Sequence, residues 1–390
     1  MKRLLVTVAA TTALLGAAAT AAVADPRPEA AVLQRDANAL LDQGAPGVIA
    51  EVVTPHGSTT VRAGVGNTTT GEPIPWRAKF RIGSFTKTFV AATMLQLVGE
   101  GELSLEDPVD RWLPGLVTGN GNDGRRITVR QLLQQTSGLP EYMRLLPYLR
   151  SEQEFLANRT KTLQPEELIA LALQQQPMFA PGTRWAYSST NYILAGMIIR
   201  RVTGHSWQSE VTRRIIRPLR LTDTSVPRTA LDVPEPHAIG YERFPRPDGT
   251  FGDPIDVTRI NPTWADAGGS IISTTADGNR FLQALLGGRV LRPAQLAAMT
   301  TTVPAPSFSN SWPKPRYGLG LLWSSTPCGG MWSHPGDFLG YGFRNGVDRN
   351  GTRSVAVAMN THSLVRKPGV PAPTFDPALD LIQHALCGTR

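Results

Sequence analysis

A chain of 390 residues with 41% hydrophobic and 18% charged residues has the composition of a folded protein, long enough for one large two-lobed domain or two domains, and excludes a disordered one. Its formal net charge of +8 rests on 33 arginines and only 6 lysines, without the basic blocks and interleaved aromatics of nucleic-acid binders; it reads as an arginine-rich solvated surface, with attraction to anionic wall polymers as the alternative. The six histidines show no His-x-x-x-His spacing and no Cys/His cluster exists, so neither a metal nor a cofactor is expected.

Residues 1–24 read as a leader: Lys2 and Arg3, an apolar stretch over 4–15, then Ala22-Val23-Ala24 as a small-residue cleavage site before Asp25. No other apolar run is long enough to span a bilayer, so the expected product is secreted, without a stable membrane anchor, and monomeric. Residues 25–45 predict a helix, 47–53 and 58–64 a β-hairpin about Pro55-His56-Gly57, 67–76 a loop and 79–82 a short strand. Helical patterns then dominate, over 84–100, 128–135, 165–176, 191–203 and 206–217. Strand patterns return at 317–324, 331–334, 340–347 and 354–360, with Asp348-Arg349-Asn350-Gly351 as a turn, and 377–386 closes as a helix. This order predicts an α/β (α+β) fold. A mixed sheet is built from both chain ends (about 25–83 and 265–390), with a helical lobe (about 84–264) inserted between them. In an exported chain the isolated pair Cys328 and Cys387 predicts a disulfide between the late strands and the last helix.

The chemistry starts at Ser84-Phe85-Thr86-Lys87. Residues three apart share a helix face, so the Ser84 hydroxyl and the Lys87 amine can meet. An amine takes a proton from serine when burial or a nearby cation lowers its pKa. The unpaired N–H groups of a first helical turn favour an oxyanion beside Ser84. A lysine where this chain usually writes arginine fits an amine that must lose its proton. Taken alone, the motif also describes a cap serine followed by a solvated lysine. A second copy, Ser311-Trp312-Pro313-Lys314, is flanked by Pro315 and cannot form a helical turn.

Two later segments offer partners. Tyr187 lies in a polar-aromatic cluster, Trp185-Ala186-Tyr187-Ser188-Ser189, just before a helix, where a hydroxyl can relay a proton. His334-Pro335-Gly336-Asp337 follows a late strand, and Gly336 permits close backbone approach, which makes the Asp337 N–H a second oxyanion donor.

These three motifs, in this order, resemble the penicillin-recognising serine hydrolases of the DD-carboxypeptidase and class C β-lactamase group. That family carries Ser-x-x-Lys, then Tyr-Ser-Asn or Tyr-Ala-Asn, then His-x-Gly or Lys-Thr-Gly. Supporting phrases are similar too: Thr136-Ser137-Gly138-Leu139-Pro140, Pro218-Leu219-Arg220-Leu221, Ala267-Gly268-Gly269-Ser270 and Tyr317-Gly318-Leu319-Gly320. The resemblance implies a β-lactamase/DD-peptidase-like fold. It also implies that Ser84 attacks, that Lys87 and Tyr187 share the proton work, and that Ser189, His334, Gly336, Asp337 and Trp264 form the substrate-binding set. The late His is most similar to exported actinobacterial-type D-alanyl-D-alanine carboxypeptidases. The implied partners are cell-wall peptides or peptidoglycan as substrate and β-lactams as acylating ligands. An esterase, D-aminopeptidase or amidase on the same scaffold is the alternative, as is a penicillin-binding sensor that acylates and stalls. The chain has no Gly-x-Ser-x-Gly elbow, which argues against an α/β-hydrolase.

Three residues depart from the family pattern: Ser189 for the usual Asn, Pro335 for the common Thr, and Asp337 where a small hydroxyl residue is frequent. An Asp337 carboxylate facing a substrate carboxylate at about 5 Å would cost roughly 3 kcal/mol at an effective dielectric near 20. Arg184 and Arg316 are the candidates to offset it.

Overall fold

The computed structural model describes residues 28–246 and 248–388. The leader read at residues 1–24 lies outside them. The main sheet has nine strands. Its order runs Gly57–Gly64, Gly47–Thr54, Ser354–Met359, Tyr341–Val347, Met331–Ser333, Leu322–Ser324, Arg316–Tyr317 and Val303–Pro304, with Gly336–Phe338 also pairing on Tyr341–Val347. Every pairing in it is antiparallel. Both chain ends therefore supply the sheet and helices flank it, which is the α/β (α+β) architecture that the element order predicts.

The strands Tyr341–Val347 and Ser354–Met359 are buried along their whole length, so both faces need cover. Alternate side chains supply the two cores. Val48, Ala50, Val52, Val355 and Val357 pack with Leu33 and Leu40 of the helix Pro28–Asp42 and with Leu381 and Ile382 of Leu379–Cys387. Ile49, Ala356, Ala358 and Phe343 face Phe281, Leu282 and Leu285 of Thr275–Leu286.

The central helix, Thr86–Glu100, is buried without a break from Thr86 to Leu95, as a helix apolar on all sides must be. Gly101, left-handed at φ 81°, ends it. Phe85 stacks on Phe343 at 5.8 Å, which locks the start of this helix onto the sheet.

Three segments differ from expectation. Residues 317–324 form two strands, because the chain reverses where Gly318 N–H donates to Leu321 C=O at 2.8 Å. Gly320 sits at φ 72° in that turn, and a Cβ there would fall 2.5 Å from Ala91 Cβ of the central helix. Helices Thr275–Leu286 and Pro293–Thr300 lie in a region where only strands and the final helix were expected. The first is capped by Thr274, whose Oγ1 accepts from Asp277 N–H at 3.2 Å. The helix expected over 206–217 stops at Val211 and continues as a π-helical turn, Thr212–Ile216.

Cys328 and Cys387 form a disulfide with a Cα separation of 5.4 Å, tying the loop after Leu322–Ser324 to the last helix. Among the described residues no helix is long and apolar enough to cross a membrane.

Candidate active site

The strand Phe80–Arg81, paired with Ile272–Ser273, delivers the chain into a 3₁₀ turn, Gly83–Phe85, from which the central helix continues. Ser84 is half-buried on that turn, and Lys87 one turn later is fully buried. The Lys87 Nζ lies 3.1 Å from Ser84 Oγ. It also donates to Gly268 C=O at 2.7 Å and reaches Ser189 Oγ at 3.4 Å. Burial pulls the Lys87 amine down to about 7, against the opposing pull of the Glu141 carboxylate. A substantial neutral fraction near neutrality is what a base needs. The second Ser-x-x-Lys copy has no helical turn: Lys314 is left-handed at φ 46° and Trp312 is buried.

Tyr187 is brought alongside. Its ring lies 4.8 Å from Lys87 Nζ and packs edge-on against Phe308 at 5.6 Å. Burial pushes its hydroxyl well above the ordinary tyrosine range, with the adjoining Ser84 hydroxyl acting in the opposite direction. The segment is held by a buried polar network rather than by a helix. Ala186 N–H donates to Gln135 C=O at 3.1 Å, Ser188 N–H to Gln135 Oε1 at 2.9 Å and Asn191 Nδ2 to the same oxygen at 2.6 Å. Ser189 N–H donates to Glu141 Oε2 at 2.7 Å, which sets this carboxylate at the edge of the Lys87 cluster.

The strand Gly336–Phe338 closes the other side. It pairs with Tyr341–Val347 along one edge and lies against the Ser84 turn along the other. Two glycines make this approach fit. A Cβ at Gly336 would fall 3.2 Å from Phe85 N, and one at Gly83, at φ 49°, would fall 2.7 Å from Asp337 N. The backbone N–H groups of Ser84 and Asp337 thus belong to two segments in direct contact.

The remaining expected residues occupy different layers. His334 is fully buried, with Nε2 2.9 Å from Tyr317 Oη and Nδ1 2.8 Å from Pro335 C=O. Burial, aided by Lys87, brings its pKa down to about 3, so the ring is neutral and stands behind Tyr187, 6.3 Å between ring centroids. Trp264 is buried against Phe338 at 4.8 Å, and its Nε1 finds no partner. Asp337 is the exposed member, with 49% of its side chain accessible.

Neither arginine expected near Asp337 reaches it. Arg184 donates to Met178 C=O at 2.8 Å, and Arg316 to Thr302 Oγ1 at 2.8 Å. The counter-ion is Arg344: its Nη1 donates to Asp337 Oδ1 at 2.8 Å and to Gly336 C=O at 3.1 Å, while its Nε donates to Asp376 Oδ2 at 2.6 Å. Desolvation alone would raise the Asp337 carboxyl; Arg344, and more weakly His362, hold it below the ordinary range. Glu141, Gly268 and Arg344 are site residues that motif spacing did not supply. Glu141 directly follows the Thr136–Pro140 phrase and Gly268 lies within the Ala267–Ser270 one, but Arg344 carries no local signal. Among the described residues no group of three or more His, Cys, Asp or Glu side chains gathers as a metal cluster would.

Comparison with known proteins gives a consistent set of likenesses. The family model described as Beta-lactamase matches residues 21–372. The structure of a D-stereospecific amidohydrolase from Streptomyces sp. is 37% identical with a TM-score of 0.82, covering 93% of this chain and 100% of that one. The D-amino acid amidase from Ochrobactrum anthropi SV3, in complex with D-phenylalanine, is 26% identical with a TM-score of 0.78, covering 92% and 97%. Penicillin-binding protein 4* of Bacillus subtilis (strain 168) is 29% identical over 292 residues, which is 71% of this chain and 60% of that protein. The chain thus spans less than two thirds of that relative's length.

Proposed function

This chain belongs to the beta-lactamase family, and we propose that within it the protein is a D-stereospecific amidohydrolase that cleaves amides, esters or short peptides of D-amino acids through an acyl-enzyme on Ser84. The chain is a serine hydrolase of this fold, related to penicillin-binding proteins and D-amino acid amidases. The preference for D-amino acids is supported by the likeness to the D-stereospecific amidohydrolase and the D-amino acid amidase, and the choice of amide or ester over free acid rests on one observation: Arg344, the guanidinium at the Asp337 rim, is already engaged by Asp337 and Asp376. A DD-carboxypeptidase needs a cation there for its substrate's terminal carboxylate. An amide or ester does not.

In this reading neutral Lys87 takes the Ser84 proton as Oγ attacks the substrate carbonyl. The oxyanion is received by the N–H groups of Ser84 and Asp337. Tyr187, kept protonated by burial, passes its proton to the leaving nitrogen or oxygen as that atom's bond to the acyl carbon breaks, and takes in its place the proton that Lys87 received from Ser84, so that both groups end the step as they began it. Water then attacks the ester and gives its proton back through the same groups. The negative field of Glu141 favours substrates with a free α-ammonium group. The leader-like residues 1–24 support a site of action outside the cell.

The test is turnover of D-phenylalanine amide, L-phenylalanine amide and a D-Ala-D-Ala peptide, with mass spectrometry of the protein after a fluorescent penicillin. Faster turnover of the D-amide than of the other two, with the label on Ser84, is expected. A preference for the free-acid peptide would overturn the substrate assignment in favour of a carboxypeptidase. An adduct on another serine would overturn the site.

A further inference from the structure

We propose that a groove remote in residues from the Ser84 site binds an anionic saccharide chain, so that the enzyme carries its own attachment point for acidic glycans. The groove is a cavity of about 520 Å³. It lies where the strands Leu322–Ser324 and Met331–Ser333 meet the end of the helix Pro293–Thr300. Trp323 and Trp332 are directly opposite one another across this antiparallel pair, so their indoles share one face of the sheet. Both are half-buried. Indole faces are flat and apolar, the shape and polarity that the C–H face of a pyranose ring needs.

The rim is built to hold them. A Cβ on Gly330 would fall 2.7 Å from the Trp323 ring, so the indole rests on bare glycine backbone. Gly330 N–H is fixed by Thr326 Oγ1 at 3.0 Å, and the same loop carries Cys328, joined to the last helix by the disulfide.

The polar groups are cationic or neutral. Arg316 and Arg349 line the groove with Thr300 and Thr302, and no lining residue is a carboxylate. Arg316 spends two N–H groups on Thr302, at 2.8 and 3.0 Å, and a guanidinium has five. Arg349 is exposed on its turn, while the adjacent Asp348 is taken up by Thr352, whose N–H and hydroxyl donate to it at 2.7 and 2.5 Å. Flat apolar faces beside two positive charges match a sugar chain bearing carboxylates or phosphates. A neutral sugar would leave the arginines unused, and a simple polyanion would leave the indoles unused. The chain's net charge of +8 draws such a polymer in at long range.

The proposal stands apart from the chemistry at Ser84 and is tested by binding. The full chain is titrated calorimetrically with a carboxylated oligogalacturonate, a neutral dextran oligosaccharide of equal length and inorganic polyphosphate. Oligogalacturonate should bind at least tenfold more tightly than dextran. Trp323→Ala and Arg349→Glu should each weaken it at least tenfold, leaving turnover of a small amide unchanged. Arg349 is exposed, so its variant reports even where the Trp323 variant does not fold. Absence of oligogalacturonate binding, binding unaltered by Arg349→Glu, or polyphosphate binding as tight as oligogalacturonate and indifferent to Trp323→Ala would each overturn the proposal.

Discussion

Lys87 Nζ donates to the carbonyl oxygen of Gly268 at 2.7 Å, across 181 positions of sequence. That bond, and the 3.1 Å approach to Ser84, fix the amine's direction. Burial then sets its proton affinity near 7. Because the active form is the neutral amine, kcat/KM for an ester or amide should rise with pH through about 7 and level off above it. Lys87→Arg keeps the charge but cannot deprotonate, so its activity should fall by several orders of magnitude. Near-native turnover in that variant would move the base assignment to Tyr187.

Ser84→Ala should abolish covalent labelling by a fluorescent penicillin, whereas Ser311→Ala should leave it intact. The second serine lies in a turn with Lys314 left-handed, where no lysine one helical turn on can activate it. The readout is the mass of the intact protein after exposure to the probe. Loss of the adduct in Ser311→Ala with full unfolding controls would defeat the assignment.

What could be read from the sequence was what depends on near neighbours. Ser84 and Lys87 meet because they are one helical turn apart, and the helix follows from its apolar run. The paired cysteines needed only an oxidising context. Contacts made by tertiary packing had no such signature. Glu141 reaches Ser189 across 48 positions, and Arg344 reaches Asp337 and Asp376 from the middle of a buried strand. Gly336 was legible as a point of close backbone approach, but the strand Gly336–Phe338 was not: it forms because Tyr341–Val347 offers an edge and glycine lets the backbone sit against the Ser84 turn. Arg184 and Arg316 were plausible counter-ions by charge alone, and local carbonyl and hydroxyl acceptors claim both.

Asp266 predicts a pH-dependent stability effect. Burial pushes its carboxyl up to about 6, against hydrogen bonds from Trp207 and the Ala267 backbone. A raised folded-state pKa means that its contribution is fully present below the ordinary carboxyl range and is lost as pH rises through about 6. At pH above that, the folded protein carries a buried charge. Asp266→Asn can still accept from Trp207 Nε1, which donates to Oδ1 at 2.9 Å. It should therefore raise stability at mildly alkaline pH by up to about 3 kcal/mol and change it little in acid. Thermal melts of both proteins across that range check this; equal shifts in acid and base would rule it out.

The disulfide closes a loop of 59 positions, for which the chain-entropy model gives about 4 kcal/mol. Reduction, or Cys328→Ser with Cys387→Ser, should lower Tm by several degrees or more while leaving acylation of Ser84 intact at low temperature. The disulfide pins the Gly329–Gly330 loop and the last helix, whereas Lys87 is held by Ser84, Ser189 and Gly268. A variant with unchanged Tm would show that the link adds nothing to the fold.

The last prediction concerns Asp337. Its Oδ1 accepts from Arg344 Nη1 at 2.8 Å, while Asp376 holds Arg344 Nε at 2.6 Å. Arg344 thus offsets the charge of Asp337, although with Asp376 the cluster keeps one net negative charge, and repulsion of a substrate carboxylate is weaker than an isolated aspartate would give. The larger effect is occupancy: Asp337 takes the N–H that a terminal carboxylate would otherwise claim. Asp337→Ser should release that donor, with Arg344 still anchored by Asp376, so the fold survives. The ratio of kcat/KM for a D-Ala-D-Ala peptide to that for its C-terminal amide should then rise by about tenfold, the effect of roughly 1.4 kcal/mol. An unchanged ratio, with Tm preserved, would mean that Arg344 does not face the substrate's far end, and specificity would have to be sought at Glu141 and Ser189 instead.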